Sequence, residues 1–421
     1  MATGPEGPRR TEDELRAALP MLERHAPSAE AVLRAVRDGS GRRVLGLVRR
    51  GAVPRRWPGW LAPVAAAAAV AGVIIASLAI SGVILHHHAG TGPAGPSGVF
   101  AKVPQYFAAL PEIPGRAVIG ATATGAVLGT VTPPKPYTMF TQVAAAGDGR
   151  TFVFAAAPGV DRGPVRFYRL VLDRSGHPGR LASLPIPPET AALPGLALSP
   201  DGSKLAVSLP PVHGQVGSKI QVFSLATGAR REWVWPGHGT ISVGAGGGGS
   251  NSWEADNRTL LFQVTTRTRT GWAGQLRLLD TAAPAGSLLA SSTRIPIPSN
   301  EVGWQHNNAT HRIIGIPLIT GDGTKLVAPF FHASAPPKVF GFTITEFSVR
   351  TGKPVRVLYQ RRTRSEAAAT GVWWVNTSGT AMIVNRGSVF GVQTPTTFTP
   401  LPSRAQRLFV RHGMFFRLPA W

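Results

Sequence analysis

The stretch Leu196-Ala197-Leu198-Ser199-Pro200-Asp201-Gly202-Ser203-Lys204-Leu205-Ala206-Val207 decides the fold class. Two apolar runs flank Asp201-Gly202, a pair that favours the positive φ angles of a tight hairpin turn. Ile220–Leu225 follows as a third strand, and Ala226-Thr227-Gly228 turns the chain into a fourth. One unit therefore reads strand, Asp-Gly turn, strand, loop, strand, Thr-Gly turn, strand.

Working outward, the unit recurs. Asp148-Gly149 precedes Phe152–Phe154 and Phe167–Leu172, and Asp256-Asn257 precedes Leu260–Phe262 and Leu276–Leu279, with a turn expected near Gly286. Asp322-Gly323 precedes Leu326-Val327 and Phe342–Phe347, and Asn376–Gly379 precedes Met382–Val384 and Val389–Val392. The markers Asp148, Asp201, Asp256, Asp322 and Ser378 are nearly evenly spaced, and a half unit stands ahead of them at Ala117–Gly125. Repeats of about four short strands that cannot each bury both faces alone predict circular stacking. The expectation is a mainly β chain forming a six- or seven-bladed β-propeller over residues 100–421, its two ends sharing one blade. The proline-rich runs Pro185–Pro188 and Ile295–Pro298 suit crossings between blades, where no ladder donor is needed.

Ser199–Ala206 resembles the WD40-like repeat of TolB-type propellers, over a stretch running from about residue 100 to the end. The whole layout, with Glu12–Leu19 in a short helical N-terminus, is similar to membrane-anchored propeller proteins of actinobacteria, a group whose function is uncharacterised. The Gly-His and Trp-Asp dipeptides of true WD40 repeats are not evident.

The stretch from Leu61 to Leu85 contains no charged side chain. A helix of that length rises about 37 Å, enough to cross a hydrocarbon core of about 30 Å. Its strongly apolar residues favour insertion by roughly 3–7 kcal/mol. Arg42, Arg43, Arg49, Arg50, Arg55 and Arg56 precede it, and the next cation is Lys102. The excess of positive charge on that side predicts a cytoplasmic N-terminus and an uncleaved signal anchor. Trp57 and Trp60 sit where interfacial aromatics belong, and the arginines there, Arg49, Arg50, Arg55 and Arg56 nearest the span, suit anionic head groups. The predicted organisation is a cytoplasmic helical segment 1–56, a transmembrane helix 57–86, a flexible linker 87–99 and an extracytoplasmic propeller 100–421 of a single-pass cell-membrane protein. Within the first segment Thr11–Glu14 reads as a capping box, followed by Leu15, Leu19 and Leu22 at helical spacing. Ser28 caps a second short helix ending at Gly39. These helices either pair or present an apolar face to a cytoplasmic partner.

The 421 residues hold 44 Lys and Arg against 21 Asp and Glu, and no cysteine. Absence of cysteine excludes a disulfide scaffold, a thiolate zinc site, an iron–sulfur cluster and a cysteine nucleophile. The chain up to Trp60 holds twelve arginines against seven acids, so most of the +23 surplus lies beyond the apolar stretch. The propeller surface is therefore basic, which favours anionic partners. Arginine outnumbers lysine 37 to 7, a bias that composition alone also accounts for.

No nucleophile elbow, His-Glu-x-x-His helix or EF-hand loop is present. Gly321–Lys325 lacks the leading glycine of a phosphate loop, and Gly244–Ser250 has no Lys-Ser or Lys-Thr after it, so both read as loops. His86-His87-His88 and the scattered later histidines show no ligand spacing. Asp148, Gly149, Asp201, Gly202, Asp256, Asp322 and Gly323 read as structural turn residues, because aspartate bonds its own local backbone. No catalytic residue, cofactor, metal or nucleic-acid partner is expected. The leading expectation is a non-catalytic binding platform at the cell envelope, whose partner is another protein or an anionic envelope component. The alternatives are a transmembrane signalling protein whose N-terminal helices bind a cytoplasmic regulator such as a sigma factor, and a propeller lyase or hydrolase.

Overall fold

The strand Lys204–Leu209 (β9) shows how the repeat folds. Leu205, Val207 and Leu209 pack into one apolar cluster, and Ala206 packs into another on the opposite side. Successive side chains of a strand point to opposite faces, so a strand buried on both sides must be apolar throughout. Thr151–Ala157 (β5) obeys the same rule with every residue buried: Phe152, Phe154 and Ala156 serve one cluster, Val153, Ala155 and Ala157 the next.

The computed structural model describes residues 103–421 except 111–114, 160–162, 191–194, 211–216, 245–251, 270, 303–310, 314–316, 334–339, 364–369, 387–388, 395, 412–413 and 416–418. The proposed cytoplasmic segment, span and linker lie outside these residues. Among the described residues no helix is long and apolar enough to cross a membrane.

Seven sheets form among the described residues, six that follow one another as blades and a two-stranded one, Val410–Arg411 with Met414–Phe415, after them. Blade 1 holds β1 (Tyr106–Ala109), β2 (Ala117–Ala121) and β3 (Val127–Val131). Blade 2 holds β4 (Met139–Ala145), β5, β6 (Arg166–Val171) and β7 (Ala182–Ser183). Blade 3 runs β8 (Gly195–Leu198), β9, β10 (Lys219–Ser224), β11 (Arg230–Val234). Blade 4 runs β12 (Gly239–Ser242), β13 (Thr259–Thr268), β14 (Gly271–Asp280), β16 (Ser292–Arg294), with β15 (Gly286–Ser287) lying between β14 and β16 in sequence but not in the sheet. Blade 5 has an inner edge in two pieces, β17 (His311–Ile313) and β18 (Leu318–Ile319), then β19 (Lys325–Ala333), β20 (Phe340–Ser348) and β21 (Pro354–Thr363). Blade 6 runs β22 (Thr370–Val375), β23 (Met382–Arg386), β24 (Val389–Gln393), β25 (Phe398–Pro400). Every pairing within a blade is antiparallel.

The apolar clusters turn these six sheets into a closed ring. Each cluster is shared by two consecutive blades: Phe152 with Ile119, Phe167 with Leu205, Trp233 with Phe262, Leu276 with Leu326, and Ile344 with Val384. The sixth joins the last blade to the first, packing Ile383, Phe390 and Val392 against Phe107 and Ala109. The chain is therefore a six-bladed β-propeller. Each fully buried Leu, Ile or Phe in such a cluster contributes about 1.5–3 kcal/mol.

Closure uses both ends of the propeller. Ala420 and Ala108 exchange backbone hydrogen bonds of 2.9 and 3.0 Å, so an isolated bridge at Ala420 takes the edge of β1 that β2 leaves open. Trp421 beside it is fully buried against Phe107 and Phe409. A short helix, α1 (Ser403–Phe409), buries Ala405 and Phe409 in the same cluster. The sequence does not announce it, since so short a helix gives an apolar period no room to show.

The Ile-Pro connectors behave as alternating segments. Ile186, Ile295 and Ile297 are buried while Pro185, Pro187, Pro296 and Pro298 are exposed. The turn anticipated near Gly286 takes another form. Residues 281–291 bulge outward, and β15 within them pairs in parallel with β11 of blade 3, matching Trp233 to Gly286. The cause is Trp233, whose large ring needs apolar cover and whose Nε1 needs an acceptor that a tight turn would not supply.

Candidate functional site

The aspartates singled out in the sequence stand at the turns between the first two strands of blades 2 to 5. Asp148 accepts the amides of Arg150 and Thr151, both at 2.8 Å, and the Thr151 hydroxyl at 2.7 Å. Asp256 does the same with Arg258 and Thr259. Asp201 is held by Ser199 and Ser203, and Asp322 by Thr320 and Thr324. Burial alone would raise the Asp201 and Asp256 carboxyls, but these hydrogen bonds outweigh it and hold both below the ordinary range. The Thr320 hydroxyl holds Asp322 low in the same way. Gly149, Gly202 and Gly323 sit at φ of 62°, 70° and 68°, a region in which side chains are strained.

These turns are bonded to one another. Gly147 N–H donates to Pro200, Asp201 N–H to the Asn257 side chain, Ala255 N–H to Gly321, and Gly321 N–H to Thr377, at 2.9–3.1 Å. A belt thus runs along one end of blades 2 to 6. Gly321–Lys325, weighed as a phosphate-loop tail, is one link of this belt. Arg49, Arg50, Arg55, Arg56, Trp57 and Trp60 lie outside the described residues, as does most of Gly244–Ser250.

Among the buried or half-buried charged groups, several are ones to which the sequence gives no clue. Glu346 is 1% exposed and takes Arg356 Nε and Nη2 at 3.0 and 3.1 Å on its two oxygens. Arg277 is 6% exposed and has no carboxylate partner among the described residues. Its guanidinium donates to Ser292 Oγ and to the carbonyls of Leu289 and Ser292, and lies 5.9 Å from the Trp235 ring. Burial pulls it below the ordinary arginine range. Arg386 is clamped between the rings of Tyr359 and Phe398, 3.9 Å from each centroid, and donates to Gln393 Oε1 at 2.6 Å. Burial lowers it too, opposed by Tyr359 and reinforced by the like charge of Arg361. Glu254 is raised by burial and by Asp256 and Asp322 beside it. Among the described residues no group of three or more His, Asp or Glu is placed to hold a metal ion.

Among the described residues, the outer strand of blade 5 exposes apolar and basic side chains together. Val355 and Val357 in β21 are 56% and 55% exposed, and Lys353, Arg356, Arg361 and Arg362 stand exposed around them. Its sequence signal is visible in retrospect: Pro354–Thr363 mixes valine with arginine, where an inner strand would be wholly apolar.

Neither a family model nor a curated protein matches the chain. Among solved structures it is similar to a putative TolB from Agrobacterium tumefaciens, with 13% identity and a TM-score of 0.38, covering 65% of this chain and 83% of that one. It is similar to a prolyl endopeptidase at 11% identity and a TM-score of 0.38, covering 73% of this chain and 49% of that one. The β-propeller domain of the Trilobed protease from Pyrococcus furiosus matches at 11% identity and a TM-score of 0.33, over 64% of this chain and 72% of that one.

Proposed function

We propose that the chain is a single-pass membrane protein whose extracytoplasmic propeller is a non-catalytic interaction platform at the cell envelope. The observation that carries the reading is the pairing of the uncharged stretch from Leu61 to Leu85, preceded by an arginine cluster, with a propeller that follows it. The turn carboxylates support the absence of catalysis, because each is engaged by its own turn, and the basic surface supports an anionic partner. Carbonate-washed membranes should retain the full chain, and protease added outside intact spheroplasts should remove the propeller. A soluble full chain, or a propeller protected until the cells are opened, would refute the topology. An unbiased hydrolase and lyase screen returning turnover would refute the non-catalytic part.

A second reading draws on the capping box at Thr11–Glu14 and the leucines behind it. There the N-terminal helices bind a cytoplasmic regulator such as a sigma factor. Co-purification of such a factor with the full chain, and its loss on Leu15→Glu/Leu19→Glu, is the outcome this reading requires.

A further inference from the structure

We infer that the outer edge of blade 5 is a strand-addition site for an extended, acidic segment of a partner protein. The inference deepens the binding-platform reading and rests on it. β21 is a long strand and the last of its sheet, so no strand among the described residues pairs with its outer edge. An open edge presents a row of backbone N–H and C=O groups, which is a template for one more strand. The molecule already uses this device once: β15 adds to the outer edge of β11.

The side chains narrow the occupant. Val355 and Val357 are the most exposed large apolar residues among those described, and they stand two residues apart, Val355 at the register shift and Val357 paired with Thr345. Around them Arg361 and Arg362 add positive charge, Arg356 being engaged by Glu346, and Arg386 stacks on the Tyr359 ring. Neither Arg361 nor Arg386 has a carboxylate partner among the described residues.

A second copy is a poor occupant, since pairing β21 with itself sets arginine against arginine. Register shifts that leave out Val355 and Leu358 blunt self-pairing further. A bare polyanion would meet the charges but leave the valines and the backbone edge unused. A peptide with alternating acidic and apolar residues satisfies all three, its ladder running along the uninterrupted stretch from Tyr359 to Thr363.

The test is titration of the full chain with a labelled peptide of alternating valine and glutamate, as long as β21. Saturable binding is expected, weakened at least tenfold when alternate peptide amides are N-methylated and at least tenfold by Arg361→Glu/Arg362→Glu. Val355→Ser/Val357→Ser, which leaves the charges intact, should weaken it severalfold. Arg166→Glu/Arg169→Glu, a matched reversal on β6 of blade 2, should leave affinity within twofold. Equal binding of the N-methylated peptide, with displacement by inorganic polyphosphate, would overturn strand addition in favour of a polyanion patch. Absence of any binding would also overturn it. The platform reading is judged separately, by membrane fractionation and the turnover screen, so the two failures are distinguishable.

Discussion

Blades 3 and 5 have the same order of strands, yet their outer strands differ in almost every respect. β11 is short, with Trp233 fully buried, and carries a further strand on its outer edge. β21 is twice as long, Leu358 is its one buried residue among the side chains described, and nothing described covers it. The inner strands of both blades are dictated by ring closure, which demands apolar side chains on both faces. The outer strand faces no such demand and is shaped by what lies beside it. In blade 3 a tryptophan attracts a covering segment: Trp233 Nε1 donates to the Pro284 carbonyl at 2.9 Å, Leu288 N–H to Val234, and Arg231 to the carbonyls of Thr281 and Ala282. In blade 5 arginines and valines leave the edge open.

The sharpest way to break this contrast is to remove the tryptophan. Trp233→Ala should cost about 3–5 kcal/mol, because the cavity lies in the cluster shared by blades 3 and 4. Urea unfolding reads the loss, and amide exchange should show the segment 284–291 opening first. An unchanged exchange pattern there would mean that the cover is held by something other than Trp233. Next in size is Arg277→Gln, which deletes the bonds to Leu289 and Ser292 and should cost about 1–3 kcal/mol. Arg277→Lys should recover little of it, since an ammonium cannot reproduce the planar fork. The matching change in blade 5 is Arg356→Ala, which leaves Glu346 buried without its ion pair. Its effect should be at the lower end of the same range, about 1–2 kcal/mol, because Arg356 itself is 45% exposed. Chemical denaturation of the two variants side by side checks the order.

How much of this is legible in the sequence follows the same division. The Asp201-Gly202 hairpin, its recurrence at Asp148, Asp256 and Asp322, and the apolar runs behind them are local signals with a nearly fixed period, and they yield the propeller. Blade number stays open between six and seven because blade 1 has three strands and its remaining edge is met only by the bridge at Ala420, far along the sequence. No local pattern marks such a pairing. Arg277, Arg386 and Glu346 are equally hidden: whether a charge in a strand is exposed or enclosed depends on the neighbouring blade, as when Tyr359 of blade 5 covers Arg386 of blade 6. The cover at 281–291 reads as a turn in the sequence because its partner, Trp233, belongs to a different repeat.

The smallest effect concerns the root of that cover. Asp280, the last residue of β14, is held by Arg258 Nε and Nη2, and this pair, helped by the Ala282 and Ala283 amides, brings its carboxyl from 3.8 down to about 2. A carboxyl depressed in the folded state binds protons more readily when unfolded. The stabilisation is therefore complete above about pH 4 and disappears as pH falls towards 2. Both side chains are more than a third exposed, so solvent screens the pair and the shift overstates its worth. Asp280→Asn should lower the melting temperature at pH 6 by no more than about 1–2 °C and leave it unchanged near pH 2. Added salt should shrink the difference at pH 6, since exposed ion pairs are screened. A larger loss that persists at pH 2 would mean that the ion pair is not the source, because a protonated Asp280 has no ion pair left to lose and Asn keeps the oxygen that accepts Ala282 N–H at 2.8 Å.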